Sequence, residues 1–203
     1  MLLDTVNFED QHGKVQPVDL DSLSWCQSLP TYVEMSEIDG GKNGLQRYMD
    51  ILTRVKSDVS GLGSRDLLRK DYKEWVVGTG PGLRLGISSV PYSQEKWVIR
   101  DGVQELEKAV KAWVTERSLD IHVILTAYTT ERSQSFHREL SLYTLSGGDQ
   151  GLGERLEKET RASLDLSPIR IGEVQWWDQK NVRASRKQVY PILRDLIECS
   201  SRM

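Results

Sequence analysis

Residues 83–90 read Leu-Arg-Leu-Gly-Ile-Ser-Ser-Val, and residues 121–127 read Ile-His-Val-Ile-Leu-Thr-Ala. The first stretch has the alternating apolar positions of a strand, and the second has the nearly continuous apolar run of a buried strand. Between them, residues 101–117 carry apolar side chains at the spacing of one helix face. This strand–helix–strand order predicts an α/β fold in which helices cover a sheet.

The same periodicities predict the other elements of the fold. Helices are expected over residues 17–26, 44–57, 64–75, 150–163 and 187–199, and strands over 139–145 and 171–176. We therefore expect a central mixed β-sheet of about five strands flanked by helices.

The N-terminal part of the chain differs in character from the rest. Residues 1–6, Met-Leu-Leu-Asp-Thr-Val, read like the end of a buried strand, and the 17–26 helix would turn Leu20, Leu23 and Trp25 inward. Pro30, Gly40, Gly41 and Asn43 give residues 28–43 the composition of a linker. These features predict a first segment over 1–27, a linker over 28–43 and the main α/β domain over 44–203.

Composition limits the classes of function. The 203 residues carry a formal net charge of -3, so a global basic surface for nucleic acid is not expected. The two cysteines, Cys26 and Cys199, lie far apart, which predicts free thiols and a reducing compartment. The sequence has neither a signal-peptide pattern nor an apolar run long enough for a membrane helix. We expect a soluble cytoplasmic protein without a membrane partner.

Self-contained catalysis has little support in the sequence. His12, His122 and His137 are not spaced with each other or with Cys or carboxylate side chains as a metal motif requires. His122 lies in a predicted buried strand, where a core role is the expected one. A nucleophile elbow is absent, and the glycine-rich turn at residues 78–82 lacks the pattern of a phosphate-binding loop.

The clearest candidate for ligand binding is residues 184–191, Ala-Ser-Arg-Lys-Gln-Val-Tyr-Pro. Ser185 and Gln188 have the spacing of a capping box, which marks a helix N-terminus. Unpaired N–H groups and the helix dipole favour anions there, and Arg186 and Lys187 add two positive charges. The segment is a plausible phosphate receptor. An ordinary surface helix start with solvated charges is the alternative.

Two further cations are weaker candidates. Lys73 would lie at the end of the 64–75 helix, where it could reach a cleft beside Asp71 or simply complement the helix C-terminus. Arg138, at the entry to a strand, is either a third anion contact or a surface cation.

Taken in order, the strings Asp-Tyr-Lys-Glu-Trp at 71–75, Gly-Ile-Ser-Ser-Val at 86–90 and Ser-Arg-Lys-Gln at 185–188 resemble the C-terminal domain of the DHH phosphoesterases. The subgroup contains family II inorganic pyrophosphatases, exopolyphosphatases and prune proteins, and the fungal exopolyphosphatases are the most similar branch. Residues 4–7, Asp-Thr-Val-Asn, are similar to the segment that ends the first, metal-binding domain of that family.

The resemblance implies a hydrolase of phosphoanhydrides that acts on polyphosphate or pyrophosphate with two Mn²⁺ or Mg²⁺ ions. Phosphate-binding residues of the capping domain would be Lys73, Arg186 and Lys187, with Ser185 supporting their loop. Asp4 would be a metal ligand.

One departure from the family pattern is large. The D-H-H motif and the other metal ligands of the first domain are not in this sequence, and one carboxylate is too few for two such ions. We therefore expect residues 1–27 to be the remnant of that domain, and the chain to be a cap that is inactive alone. It would work with a DHH domain in trans or belong to a longer gene product. The alternative is a non-catalytic module that binds polyphosphate or another protein.

Overall fold

The computed structural model describes residues 3–8, 15–29, 43–130, 135–144, 151–171 and 174–200. The chain forms two compact units, Met1–Ser60 and Gly61–Met203. The predicted linker falls almost entirely outside the described residues, so the predicted domain limits stay predictions.

The first unit contains helices α1 (Pro17–Gln27) and α2 (Asn43–Ser57), which confirms both predicted helices. Gln16 and Asp19 form a reciprocal capping box at the start of α1, with Pro17 in its first turn. The expectation that α1 turns its apolar side chains inward is wrong in this unit. Leu20 and Trp25 are 53% and 65% exposed, and no residue of α1 is buried.

Residues 3–8 form turns, so the expected strand end is wrong for this part of the chain. Val6, Asn7 and Phe8 have φ angles of 50°, 59° and 60°, and this left-handed conformation is incompatible with an extended strand. The side-chain amide of Asn7 donates a hydrogen bond to Gln46 of α2 at 3.0 Å instead. Residues 1 and 2 lie outside the described residues.

The second unit is an α/β domain, as predicted. Its strands are β1 (Tyr72–Val77), β2 (Leu83–Val90), β3 (Ile121–Thr129), β4 (Phe136–Thr144), β5 (Leu166–Ile171) and β6 (Val174–Gln179). Its helices are α3 (Ser64–Lys70), α4 (Gln94–Asp101), α5 (Val103–Arg117), α6 (Leu152–Leu164) and α7 (Arg186–Ser200). The sheet is mixed, in the order β1-β2-β3-β4-β6-β5, with β2 and β3 parallel and the other neighbours antiparallel.

Two differences between the expected and the observed elements add two strands to the four that were predicted along this part of the chain. The helix predicted over 64–75 ends at Lys70, and the following residues form the edge strand β1, because their backbone pairs with β2. Lys73 therefore lies on a strand, and its predicted position at a helix end is wrong. The strand predicted over 171–176 is the hairpin of β5 and β6.

The sheet is covered on both faces. On one face, the apolar side chains of β2, β3 and β4 form a continuous core with Val189, Leu193 and Ile197 of α7. On the other side, α3 packs on β2 and on α5, and it buries Leu67 and Leu68 completely. This arrangement fixes the start of α7 against the sheet.

His122 is a core residue, as predicted, and it is completely buried in β3. Its Nε2 atom lies 3.0 Å from the hydroxyl of Ser88 on the neighbouring strand. Its Nδ1 atom has no hydrogen-bond partner among the described residues. Burial lowers the pKa of His122 from its ordinary value of 6.5 to about 3, because a charged imidazole would lose its hydration there.

Acid should destabilise the fold through His122. The unfolded imidazole titrates near 6.5 and the folded one near 3, so the unfolded state binds the extra proton between these pH values. Stability is full above about pH 6.5 and is lost as the pH falls towards 3, by about 1.4 kcal/mol per pH unit. We expect this residue to remove about 2 kcal/mol of unfolding free energy between pH 7 and pH 5.

Urea unfolding of the chain and of His122→Gln, followed by tryptophan fluorescence at both pH values, measures this contribution. The amide can still bond to Ser88 but does not titrate, so the variant should lose about 2 kcal/mol less on acidification. The other two histidines are present in both proteins and cancel in the comparison. Equal losses in the two proteins would contradict the prediction.

Candidate anion-binding site

The candidate residues gather at one edge of the sheet. Because β2 and β3 are parallel, their carboxyl ends meet at this edge. Ser89 is close to the end of β2, and Arg138 pairs with Ala127 near the end of β3. The loop from β6 to α7 begins at the same level, since Glu139 pairs with Asp178 of β6.

α7 begins at Arg186, one residue before the predicted range of 187–199, and Ser185 stands at its N-cap. Its backbone N–H donates to Oε1 of Gln188 at 2.9 Å, and its hydroxyl oxygen accepts a bond from the N–H of Lys187 at 3.4 Å. Arg186 and Lys187 are therefore the first two residues of the helix. Pro191 falls in the second turn, so the carbonyl of Lys187 has no backbone N–H at this position to accept from.

The guanidinium of Arg186 is clamped at one end by the start of β1. Its Nη2 lies 2.9 Å from Oδ1 of Asp71, and its Nη1 donates to the Asp71 carbonyl at 3.0 Å and to the Ser89 hydroxyl at 3.3 Å. Only 22% of the Arg186 side chain is exposed. The side-chain hydrogen bonds of Arg186 to the described residues are both made by Nη1. Nε–H and the adjacent hydrogen of Nη2, which lie side by side on one edge of a guanidinium, make none there. That edge has the geometry to bind an oxyanion through two parallel bonds.

Lys73 lies on the same side of the sheet as α7. It follows Asp71 by two residues and precedes Trp75, and Trp75 stacks on Tyr190 of α7 with ring centroids 4.2 Å apart. Contacts to α7 on both sides of Lys73 thus align β1 with the first turn of that helix. Lys73 and Lys187 are both exposed, and neither ammonium has an ionic partner among the described residues.

Arg138 lies at the same edge and contacts the loop that leads into α7. Its Nε donates to the carbonyl of Val182 at 2.7 Å. Burial lowers the pKa of Arg138, and the described residues provide no carboxylate partner for its charge. The structure therefore gives this residue a contact that holds the loop, which the sequence did not predict.

Gln179 is the residue of this region that the sequence analysis missed. It is the last residue of β6 and is 1% exposed, and its Nε2 donates to the carbonyls of Asn181 and Ala184, both at 2.7 Å. Both partners are backbone atoms, so no sequence motif marks the contact. The buried Gln179 side chain thus fixes the backbone of the loop that leads from β6 to α7.

Asp4, the predicted metal ligand, is an exposed residue of the first unit. Within the described residues, no group of three or more His, Cys, Asp or Glu side chains is arranged to hold a metal ion. The residues that the structure describes therefore do not fit the two-metal centre that the resemblance implies.

The comparison with protein families gives one match, to the DHHA2 domain, over residues 50–196. The chain belongs to this family. The matched range includes every cation of the candidate site and leaves out Asp4. The recognition of a C-terminal, DHH-associated domain from the sequence is thereby confirmed.

Curated relatives of this DHHA2 protein are exopolyphosphatases. It is 26% identical over 200 residues to exopolyphosphatase PRUNE1 of Rattus norvegicus, and 25% identical to that of Homo sapiens. Each match covers 97% of this chain but only 40% and 41% of the relative. The chain thus spans about two fifths of the length of these relatives.

One solved structure has a similar fold. The proposed family II inorganic pyrophosphatase of Methanococcus jannaschii matches 97% of this chain and 52% of its own, with a TM-score of 0.51 and 18% identity. At that identity the match shows the fold alone. It confirms the mixed α/β architecture.

Among the described residues, no helix has the length and apolar character to cross a bilayer.

Removing the Gln179 amide should loosen the loop before α7. Gln179→Leu leaves the buried carbonyl of Ala184 without its donor, which typically costs about 1–3 kcal/mol. Urea unfolding measures the loss, and Gln104→Leu on the exposed face of α5 is the matched control, expected to change stability by less than about 0.5 kcal/mol. Equal stability of the two variants would show that the hydrogen bonds of Gln179 do not stabilise the fold.

Proposed function

We propose that this chain is the substrate-capping domain of a metal-dependent phosphoanhydride hydrolase of the exopolyphosphatase and inorganic pyrophosphatase type. Its family and its relatives support a hydrolase of acid anhydrides of phosphorus. The substrate is polyphosphate or pyrophosphate. The observation that carries the proposal is the start of α7, where a capped helix N-terminus, a clamped arginine and uncompensated lysines meet.

Each of these groups has a distinct part in binding phosphate. The open edge of Arg186 takes two non-bridging oxygens of one phosphoryl group through parallel charge-assisted bonds. Lys187 and Lys73 act as point charges on neighbouring phosphoryl oxygens, and the helix N-terminus adds its dipole. Ser185 keeps the first turn in place, and Arg138 holds the loop and adds a third cationic group. By reducing the negative charge on the phosphates, these residues make the phosphorus easier to attack.

The metal centre belongs to another domain in this proposal. Mn²⁺ or Mg²⁺ would be held by a DHH domain, on a longer polypeptide or in trans, and Asp4 would join its ligands. The described residues of this chain do not form such a site. We place the reaction in the cytoplasm, in keeping with the free thiols of Cys26 and Cys199.

A second candidate is a non-catalytic module that binds polyphosphate or a protein. The observation that favours it is the same lack of a metal-ligating cluster in the described residues. The two candidates share the anion site and differ only in what completes it.

Calorimetric titration with pyrophosphate and with polyphosphate tests the shared anion site. Arg186→Ala and Lys187→Ala should each weaken binding roughly tenfold or more, because each removes a charge-assisted contact of about 1.5–3 kcal/mol. Arg194→Ala is the matched control, since this exposed arginine of the same helix pairs with Asp195 away from the first turn. Unchanged affinity in both test variants would overturn the proposed site.

The chain alone should release no phosphate. Incubation of the 203-residue protein with either substrate and Mn²⁺ or Mg²⁺, followed by a phosphate assay, checks this expectation. Turnover that is abolished by Arg186→Ala but not by Arg194→Ala would show that the chain is an enzyme without a separate DHH domain. A protein partner whose binding survives Arg186→Ala and Lys187→Ala would favour an interaction module.

A further inference from the structure

Arg183 is a cation that the proposed function leaves unused. It lies in the turn between β6 and α7, and its side chain is exposed. Two neighbouring cations, unlike Arg183, each have a carboxylate partner. Arg186 lies against Asp71 and Lys180 against Asp178, whereas Arg183 has no ionic partner among the described residues.

The backbone around Arg183 is unusually well held for a surface loop. The carbonyls on either side of it, those of Val182 and Ala184, accept hydrogen bonds from Arg138 and Gln179, both at 2.7 Å. The carbonyl of Asn181 is a second acceptor for Gln179. Two buried or half-buried side chains thus hold a turn whose tip presents a single arginine. A fixed backbone lowers the entropy that an arginine loses when it binds a ligand.

The position of Arg183 relates it to the start of α7. Arg183 lies three positions before Arg186, so the two Cα atoms are at most about 11 Å apart. A linear chain of phosphates carries negative charge at regular points along its length, so one such chain can reach both guanidinium groups. The two phosphates of pyrophosphate are already matched by Arg186 and its lysine neighbours.

We propose that Arg183 forms a further anion subsite that binds a more distant phosphate of a linear polyphosphate, and so favours long chains over pyrophosphate. This inference rests on the proposed phosphate site at the start of α7. Arg183 is then a specificity-determining residue. Its contact forms only when the ligand extends beyond the phosphates at Arg186 and Lys187.

The test compares two ligands in calorimetric titrations at about 0.15 M salt, where charges more than about 8 Å apart are largely screened. Arg183→Ala should weaken binding of a long-chain polyphosphate roughly tenfold and leave the affinity for pyrophosphate unchanged. The matched control is Arg84→Ala, which removes an exposed arginine at the opposite end of β2. It should leave both affinities unchanged.

Two results would overturn the inference. If Arg183→Ala leaves polyphosphate binding unchanged, the subsite does not exist. If it weakens both ligands equally, Arg183 acts only through its general charge. Thermal unfolding of the variant confirms that the fold is intact, because a change at an exposed position should alter stability by less than about 0.5 kcal/mol. Failure of the proposed function is recognised separately, since Arg186→Ala would then leave the affinity for both ligands unchanged.

Discussion

The parallel pairing of β2 with β3 is the constraint on which the candidate anion site depends. Parallel strands end at the same edge of a sheet, and a connection between them must cross over one face, here through α4 and α5. The opposite face is left for α7, whose first turn then lies over the carboxyl edge. Because β1 is antiparallel to β2, Asp71 begins its strand at that same edge. One choice of strand direction thus brings Asp71, Ser89 and Arg186 together.

At this edge Arg186 has a carboxylate partner, whereas the other cations of the candidate site have none among the described residues. Arg186 pairs with a carboxylate that is 53% exposed, so the pair itself contributes little to stability. Its effect is to orient the guanidinium, so the side chain has lost much of its freedom before any ligand arrives. Lys73, Lys187 and Arg183 are exposed and have no ionic partner among the described residues, so in the proposed site they would supply the attraction. In the proposed site, Arg186 therefore offers donors that are already oriented, and the exposed cations attract the anion.

Much of this arrangement could be predicted from the sequence. The apolar patterns of residues 83–90 and 121–127 predict the central strands, and the spacing of Ser185 and Gln188 predicts the helix start, because both depend on interactions between near neighbours in sequence. β1 was missed because Leu67 and Leu68 begin a true helix whose pattern does not show where it stops. Pairing with β2 decides that point, and it is a long-range interaction. The contacts of Gln179 and Arg138 are to backbone carbonyls, which every residue has, so side-chain identity cannot reveal them.

The proposed function places anion binding and metal binding on different domains, and the chemistry of the two kinds of site gives a reason for this division. Hard divalent cations need several carboxylate ligands, whereas phosphate needs arginine, lysine and N–H donors. Placing both sets on one rigid surface would let the carboxylates neutralise the cations when no substrate is present. Asp71 shows that even one nearby carboxylate occupies one end of Arg186. In the proposed function this domain avoids the competition, because its described residues hold cations at the sheet edge and no metal-ligating cluster. A phosphate bound as proposed would present its remaining oxygens to the surface that faces it. The proposal is therefore compatible with the cap of a hydrolase and with a binding module, and the facing partner would decide between them.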